Sequence, residues 1–326
     1  MGIKIGSFNM YKFNFRSDAE ISKNIGKIVE IIKGEDFDIL ALQEVFNETV
    51  ISRCLMPYLG DGWDYRWDCP ISRSKQAAEG YAYLWKKTKF RLATGLREGE
   101  RSLELSKLSP QAKAVFEARI QANYKQDKML YQGRLVRDPF YARFESLQGW
   151  FEIRLINTHI MFSDNSDDSE VALSDAAKRT REFQILTEIY RQLADKQYRS
   201  SRPAYTILLG DYNLNLNRTW TKAPYLEEII ESKDRNGQIS KCLITIQDQL
   251  TTLKGRSSSR PDESARGYAN NYDHFTYDKI RFDGIAVSPA QRIDTVRKYY
   301  ADNFELHRKE ISDHIPICME IELRTH

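Results

Sequence analysis

The stretch that most constrains the fold is an apolar run followed directly by polar side chains. Residues 204–209 carry apolar side chains on both faces, which is typical of a buried parallel or central strand, and Gly210 permits a turn at its end. Asp211 and Asn213 come next. A carboxylate offers a charged oxygen to a divalent cation, and an amide can contact a phosphate oxygen without repelling it. The pattern predicts a strand with functional side chains at its end, although a strand followed by an ordinary Asx turn gives the same letters.

Composition predicts a folded protein with a substantial core. The chain has 326 residues, 41% of them hydrophobic, and a formal net charge of +3. Basic side chains concentrate in residues 86–143, which contain fourteen basic and six acidic residues. Such a region is compatible with a polyanionic partner, and a solvated charged face would have the same composition.

Cysteine usage and hydropathy bear on the cellular compartment. The four cysteines lack CxxC or metal-finger spacing, and the chain begins with an alternating apolar pattern in residues 3–8. No apolar stretch is long enough for a signal peptide or a membrane span. We therefore expect free thiols, a cytoplasmic location and no association with a membrane.

Periodicity predicts many strands and a few helices. Further strands are predicted at residues 3–8, 37–43, 63–67, 81–85, 140–147, 150–158, 280–287 and 315–323. Helices are predicted at residues 17–34 after a capping box at 17–20, at 47–59, at 110–126, after an acidic loop at 163–169 as far as residue 195, and at 226–231.

Polar side chains stand at or next to the ends of these strands. In a protein built from stacked sheets, such ends converge at one edge. The residues are Asn9, Glu44, Glu79, His159, Asp211, Asn213, Asp273, Asp313 and His314. The sequence therefore predicts one polar site that is assembled from the whole length of the chain.

Six short motifs contain most of these residues, and their order is informative. They are Ser-Phe-Asn at 7–9, Leu-Gln-Glu-Val at 42–45, Asn-Thr-His at 157–159, Gly-Asp-Tyr-Asn at 210–213, Tyr-Asp at 272–273 and Ser-Asp-His at 312–314. In this order they resemble the endonuclease/exonuclease/phosphatase superfamily, and its deoxyribonuclease I-like subgroup in particular. The resemblance implies an α/β protein: a four-layer α/β sandwich of two mixed β-sheets flanked by helices. Residues 1–326 would form a single domain with a basic helical insertion at about 95–133.

The resemblance implies a cation site. Asn9, Glu44 and Asp313 match the family's metal-binding positions, and Asp211 contacts a second cation in some members. Oxygen ligands suit a hard cation, so Mg²⁺ is the expected cofactor, with Mn²⁺ or Ca²⁺ as possible substitutes. Asp211 and Asn213 also match the pair that contacts the reacting phosphate and the attacking water.

The resemblance further implies two carboxylate–histidine pairs. Asp273 and His314 match one pair. Asp283 is a rival for the carboxylate because its surroundings have a similar pattern, but Asp273 is preferred for its tyrosine neighbour and for its distance to Asp313, which is closer to the deoxyribonuclease arrangement. Glu79 would hold His159 in the same way. One imidazole could then deprotonate water while the other protonates the leaving oxygen, and the sequence leaves open which is which.

Substrate contacts include both matches to the nucleases and departures from them. Arg137, in an Arg-Asp-Pro tripeptide, matches a phosphate-binding arginine, and Tyr272 is expected to contact substrate as well. Phe46 and Ala77 stand where deoxyribonucleases place an arginine and a tyrosine that enter the DNA minor groove. The basic insertion is therefore predicted to act as a cationic arm that supplies DNA contacts.

Three functions remain open at the level of sequence. The first is a magnesium-dependent DNA endonuclease, with nucleic acid as its partner. The second is a phosphomonoesterase or a small-molecule phosphodiesterase that acts on a phospholipid, inositol phosphate or nucleotide with the same centre. The third is a binding module with a decayed site, which is disfavoured because every position that the chemistry needs carries a competent residue type.

Overall fold

The computed structural model describes residues 2–14, 23–69, 79–93, 135, 137–160, 169–196, 202–215, 232–233, 239–240, 243–247, 249–254 and 267–323. Several predictions lie outside these residues. They concern the capping box at 17–20, Ala77, the basic insertion at 95–133, the helices at 110–126 and 226–231, and most of the acidic loop at 163–169.

The described residues form two large sheets and a small ribbon. Their strands are β1 (Gly2–Phe13), β2 (Ile39–Val45), β3 (Trp63–Asp68), β4 (Tyr81–Lys86), β5 (Phe90–Leu92), β6 (Phe140–Ser146), β7 (Glu152–His159), β8 (Ala204–Asp211), β9 (Ser232–Lys233), β10 (Ile239–Ser240), β11 (Leu243–Ile246), β12 (Asp273–Asp278), β13 (Ala286–Val287), β14 (Gln291–Arg292) and β15 (Ile317–Glu322). Their helices are α1 (Ile25–Gly34), a wide helical segment (Val50–Leu55) that continues into α2 (Met56–Leu59), α3 (Ser169–Asp195), α4 (Thr295–Tyr300) and α5 (Phe304–Glu310).

Both large sheets are mixed. The first has the order β13-β15-β1-β2-β4-β3, with β14 also paired to β15, and the second has the order β11-β12-β8-β7-β6-β5. Within each sheet one central pair is parallel, β1 with β2 and β7 with β8, while the other neighbours are antiparallel. Strands β6 and β7, which correspond to the strands predicted at 140–147 and 150–158, form one of these antiparallel pairs. Strands β9 and β10 form the separate ribbon.

Alternation along β2 explains the layers. Ile39 and Ala41 belong to the core between the two sheets, whereas Leu40 and Leu42 face the other way and pack with α1. The outer face of the second sheet is covered in the same manner by α3. The predicted four-layer α/β sandwich is therefore confirmed.

The two parallel pairs meet across the core, and this arrangement positions the site. Buried amides join them: Gln43 Nε2 donates to Asn157 Oδ1 at 2.7 Å, and Asn157 Nδ2 donates to the Leu42 carbonyl at 3.0 Å. The four central strands carry, near their carboxyl ends, Asn9, Glu44, His159 and Asp211. Because the carboxyl ends of parallel neighbours lie at the same edge, these side chains converge.

The predicted strand at 280–287 is wrong over most of its length. Only Ala286–Val287 forms a strand, and residues 279–284 form turns in which Ile280 is 64% exposed. The Asp278 carboxylate accepts hydrogen bonds from the backbone N–H groups of Ile280 (2.9 Å) and Arg281 (3.4 Å). A side chain that satisfies nearby N–H groups replaces the ladder hydrogen bonds that a strand would need.

Strand β8 also differs from the prediction at its end. The chain does not turn at Gly210 but continues in the strand through Asp211, and Gly210 pairs with Thr158. Gly210 has φ +135°, and a Cβ atom there would lie 2.0 Å from the Thr158 carbonyl oxygen. Only glycine tolerates this backbone conformation and this close approach. Gly210 therefore allows strand β8 to continue beside β7 as far as Asp211.

The helices differ from the prediction at three places: the start of α1, and the two helices α4 and α5. Helix α1 begins at Ile25, because Asn24 Oδ1 accepts a hydrogen bond from the Lys27 N–H and caps the helix there, so residues 23–24 of the predicted helix are not helical. Helices α4 and α5 were not predicted, since six and seven residues are too few for a clear apolar period. Within the described part of the chain, every helix is too short or too polar to cross a membrane.

Candidate active site

The polar side chains at the strand ends gather around one buried carboxylate, Asp211. Its Oδ2 atom accepts a hydrogen bond from Asn9 Nδ2 at 3.0 Å. The same oxygen lies 3.5 Å from Nε2 of His159 and 3.4 Å from Nε2 of His314. Burial raises the pKa of Asp211 to about 6, although the two histidines act in the opposite direction. Asp211 is thus where the contributions of both sheets meet.

The chain folds back immediately after Asp211. Its Oδ1 atom accepts a hydrogen bond from the Asn213 N–H at 2.8 Å, which is an Asx turn. Asn213 has φ +50°, and its Nδ2 donates to the Ile160 carbonyl at 2.7 Å. The Asx turn is therefore part of the site, because it uses one carboxylate oxygen for the backbone and leaves the other for the surrounding side chains.

Asn9 lies between two carboxylates. Its Nδ2 donates to Glu44 Oε1 at 3.1 Å as well as to Asp211, and its Oδ1 accepts from the Tyr11 N–H at 2.9 Å. Glu44 has φ +56°, and its Oε2 accepts from the Lys12 N–H at 2.9 Å. In this orientation the Asn9 amide offsets the repulsion between Glu44 and Asp211 by donating a hydrogen to each.

The first carboxylate–histidine pair joins Asp273 and His314. Asp273 Oδ2 lies 2.8 Å from His314 Nδ1, and because a carboxylate accepts, Nδ1 carries the proton. Burial lowers the pKa of His314, but Asp273 and Asp211 outweigh it and hold that pKa well above its ordinary value. The rival carboxylate Asp283 is exposed on the turn at 279–284 and does not contact His314.

The second pair joins Glu79 and His159. Glu79 Oε2 lies 2.9 Å from His159 Nδ1, while Glu79 Oε1 accepts from Arg137 Nη2 at 2.7 Å. Burial and Arg137 lower the pKa of His159, but Glu79 and Asp211 outweigh them and raise it. Arg137 is buried, and its other terminal nitrogen donates to the His159 carbonyl at 3.4 Å. The arginine that the sequence assigns to phosphate binding therefore holds the Glu79–His159 pair in this structure.

A threonine that the sequence does not mark orients Asp273. Thr251 Oγ1 accepts hydrogen bonds from the N–H groups of Tyr272 (3.1 Å) and Asp273 (3.2 Å). The Thr251 carbonyl accepts from the Ile315 N–H at 2.8 Å, next to His314. Its partners lie 21 residues away and more along the chain, and no local pattern could have indicated it.

Ser312 links the first strand to the Ser-Asp-His motif. Its Oγ donates to the Asn9 carbonyl at 2.6 Å and accepts from the His314 N–H at 3.0 Å. The serine is fully buried. The Ser-Asp-His motif contains Ser312 and so indicated this position in the sequence. A small hydroxyl next to Asp313 can form hydrogen bonds both to the first strand and to His314.

The remaining residues that the sequence singles out are Tyr272 and Phe46. Tyr272 is half-buried; burial raises its pKa, Asp211 acts in the same direction, and Arg179 opposes them. Tyr272 therefore lies within electrostatic range of Asp211. Phe46 is half-buried and follows β2 directly.

Two groups of residues could hold a divalent cation. One is formed by Asp211, Asp273 and His314, whose ligand atoms all lie within 4.8 Å of one another. Both nitrogens of His314 already face carboxylates, so this cluster is better described as a hydrogen-bonded network. The other is the predicted set of Asn9, Glu44 and Asp313, which offers the oxygen ligands that a hard cation prefers.

The surroundings of Asp313 suit a side chain that coordinates a cation. It is mostly buried, and its Oδ1 atom has no hydrogen-bond partner among the described residues, while Oδ2 accepts from Arg308 Nη2 at 3.4 Å. Burial raises the pKa of Asp313, His314 opposes this effect, and Glu44 adds to it. A buried oxygen without a partner, close to a second carboxylate, is the environment that a bound cation stabilises.

Comparison with known proteins identifies the fold. No protein-family model matches the chain, and no curated protein matches it in sequence. Among solved structures, it resembles an endonuclease/exonuclease/phosphatase family protein from Bacteroides thetaiotaomicron, with a TM-score of 0.56 at 15% identity over 100% of this chain and 99% of that one. It also resembles ANGEL2, a 2′,3′-cyclic phosphatase, with a TM-score of 0.55 at 15% identity over 98% and 95% of the two chains. For truncated Caenorhabditis elegans TDP2 the TM-score is 0.51 at 14% identity over 99% and 98%. The chain therefore has the fold of these proteins, the α/β sandwich of the endonuclease/exonuclease/phosphatase family.

Proposed function

We propose that the protein is a divalent-metal-dependent phosphodiesterase, and that its substrate is DNA, which it cleaves as an endonuclease. The observation that carries the proposal is the convergence of His159 and His314 on Asp211 Oδ2, at 3.5 and 3.4 Å. Hydrolysis of a phosphodiester needs one group that removes a proton from water and another that gives a proton to the leaving oxygen. Two buried imidazoles that face one point from separate elements suit this division of work.

The carboxylate partners prepare the histidines for this role. Glu79 and Asp273 each accept from an Nδ1 atom, so each Nε2 faces the centre of the site. Each carboxylate favours the charged imidazole, and this lets a histidine accept a proton from water or hold one for the leaving group. Asp211, between the two imidazoles, would orient the attacking water, and Asn213 would contact the phosphate.

Glu44 and Asp313, with Asn9 and Asp211 beside them, would hold the cation. When bound, Mg²⁺ supplies positive charge that stabilises the developing charge on a phosphate. The fold brings the carboxylates of Glu44 and Asp313 together near the ends of separate strands. The Tyr11 N–H orients the Asn9 amide by donating a hydrogen bond to its Oδ1 atom. The unpartnered Oδ1 of Asp313 supports this assignment.

DNA is favoured as substrate by the basic composition of residues 86–143 and by the resemblance of the motifs to deoxyribonucleases. A second candidate is hydrolysis of a small or cyclic phosphodiester. It is favoured by the structural similarity to ANGEL2, which is a 2′,3′-cyclic phosphatase. Both candidates use the same catalytic centre. They differ in how large a part of the substrate molecule must be bound outside that centre, which is large for DNA and small for a cyclic nucleotide.

The test is a substrate panel with magnesium or with a chelator. The panel contains supercoiled plasmid, single-stranded DNA, RNA, 2′,3′-cyclic AMP, bis(4-nitrophenyl) phosphate and 4-nitrophenyl phosphate. We expect magnesium-dependent nicking of the plasmid and hydrolysis of the simple diester, with little activity on the monoester. Activity restricted to the cyclic nucleotide would favour the second candidate, and activity restricted to the monoester would contradict a phosphodiesterase. No hydrolysis of any substrate would favour a binding module with a decayed site.

A further inference from the structure

Two lysine ammonium groups lie over the same tyrosine ring at the edge of the candidate active site. The Nζ atom of Lys12 lies 5.3 Å, and that of Lys23 lies 5.0 Å, from the centroid of the Tyr11 ring. Lys12 is exposed, while Lys23 and Tyr11 are half-buried. Cation–π contacts at these distances orient both ammonium groups and bring two like charges close together.

The backbone fixes this cluster to the proposed metal ligands. Tyr11 and Lys12 have φ +44° and +55°, which is the left-handed region that non-glycine residues rarely adopt. The two conformations are held by hydrogen bonds from the Tyr11 N–H to Asn9 Oδ1 and from the Lys12 N–H to Glu44 Oε2, both 2.9 Å long. The backbone of Tyr11 and Lys12 is therefore fixed relative to the proposed metal ligands, and both ammonium groups lie over the ring that this backbone carries.

Within the described part of the chain, neither Lys12 nor Lys23 forms an ion pair. Other lysines there do form ion pairs, namely Lys27, Lys86, Lys89 and Lys298. Lys23 lies within electrostatic range of Asp313 and Glu44, and also of two further cations, Arg308 and Lys12. Asp313, Glu44 and the Tyr11 ring compensate only part of the hydration that the half-buried Lys23 ammonium group has lost, because none of them accepts a direct ion pair from it among the described residues. An anion that bound between the lysines would restore it.

We propose that Lys12 and Lys23 bind a second phosphate of the substrate, next to the phosphate that is hydrolysed. The proposal rests on the proposed phosphodiesterase function and deepens it by naming the substrate class, a nucleic-acid strand with at least two consecutive phosphates. The reacting phosphate is served by the histidines and Asp211, whereas the lysines lie on the side of Glu44 and Asp313. A small monoester or cyclic nucleotide has no group to place there.

A different role for the lysines would be to neutralise Glu44 and Asp313 directly. The two roles differ in their dependence on the substrate. A lysine that neutralises the centre affects every substrate equally, whereas a lysine that binds a second phosphate affects only substrates that have one. The comparison of a dinucleotide with a trinucleotide separates them, because the trinucleotide adds one nucleoside and one phosphate.

The experiment compares TpT with TpTpT in the wild type and in the Lys12→Gln/Lys23→Gln double variant, measured as the ratio of kcat/KM for TpTpT to that for TpT. We expect the ratio to be well above one in the wild type and to fall at least about tenfold in the variant, since a hydrogen bond to a charged group is worth this much. An Arg pair at the same positions, Lys12→Arg/Lys23→Arg, should keep most of the ratio. The matched control is Lys87→Gln/Lys279→Gln, which removes the same charge at exposed positions and should leave the ratio unchanged.

Two results of the kinetic comparison would overturn the proposal. An unchanged ratio in the double variant would show that the lysines do not bind a second phosphate, whether or not both rates fall together. An equal fall in the control would show that net charge alone is responsible. If the wild type cleaves neither oligonucleotide, the proposed function fails, and the lysines are still tested by fluorescence anisotropy of labelled TpT and TpTpT. The preference for TpTpT in binding should then be lost in the double variant, and its retention would exclude the second-phosphate site.

Discussion

His159 and His314 come from opposite sides of the sandwich, yet their Nε2 atoms lie 3.5 and 3.4 Å from the same oxygen, Oδ2 of Asp211. His159 ends strand β7 of the second sheet, and His314 lies just before strand β15 of the first. Each is held at Nδ1 by its own carboxylate. The buried site therefore presents two imidazoles in nearly equivalent positions around one carboxylate oxygen.

Loss of either imidazole should remove one of the two proton transfers. His159→Ala and His314→Ala should each lower kcat for bis(4-nitrophenyl) phosphate by about 10²-fold or more, with a smaller change in KM. Both histidines are buried, so the melting temperature of each variant is measured first to confirm that it is folded. His274→Ala cannot serve as a control, because His274 is also buried and its loss could itself affect folding. If either variant stays folded and keeps wild-type kcat, that histidine has no role in proton transfer.

Removal of one acidic ligand should abolish the response to magnesium. Glu44→Gln should eliminate turnover and weaken Mg²⁺ binding, measured by isothermal titration calorimetry, because one of two charged ligands is lost. Without metal, its melting temperature should be unchanged or higher, since Glu44 and Asp313 repel each other. Glu48→Gln changes an exposed glutamate nearby and serves as control. Full magnesium-stimulated activity in Glu44→Gln would exclude it as a ligand.

Glu79 should act through His159. Glu79→Gln should lower kcat at least about tenfold, because a neutral amide no longer supports the charged imidazole. Glu79 raises the pKa of His159, so the limb of the pH profile that belongs to His159 should move to lower pH in the variant. The Glu79→Gln/His159→Ala double variant should be no slower than His159→Ala alone. Additive losses would mean that Glu79 has a separate role, for instance through Arg137.

The choice between Asp273 and Asp283 can be tested directly. Asp273→Asn should lower kcat by about 10²-fold, since it removes the acceptor 2.8 Å from His314 Nδ1. Asp283→Asn should leave kcat and the melting temperature unchanged, because Asp283 is exposed on a turn. The two changes are chemically identical. A loss of activity in Asp283→Asn that equals that in Asp273→Asn would contradict the assignment.

Gly210 should be intolerant of any side chain. Gly210→Ala should destabilise the fold by about 1–3 kcal/mol or more, because φ is +135° and the new Cβ would lie 2.0 Å from the Thr158 carbonyl oxygen. Gly62→Ala is the matched control, since a Cβ at Gly62 meets no atom within 4 Å. Chemical denaturation measures both variants. A Gly210→Ala protein as stable as Gly62→Ala would refute the proposed close approach of β8 to β7.

Much of the fold could be predicted because its signals are local. The alternation of Ile39, Leu40, Ala41 and Leu42 assigns each side chain to one of two faces, and every strand of a sandwich repeats this rule. Prediction failed where a side chain satisfied nearby backbone groups: Asp278 formed a turn where an apolar pattern indicated a strand, and Asn24 set the start of a helix. Such hydrogen bonds compete with regular structure and leave little trace in hydropathy.

The sequence by itself determined the fold class and marked the polar side chains at the strand ends, because motifs at strand ends and alternating apolar residues depend only on neighbours along the chain. The tertiary structure decided the contacts and distances around those side chains. It placed Asp273 against His314 and left Asp283 exposed, gave Thr251 its role, turned Arg137 towards Glu79, and brought Lys12 and Lys23 over one ring. These pairings depend on strand register and loop paths that bring together residues far apart in the chain, and no local pattern encodes those distances.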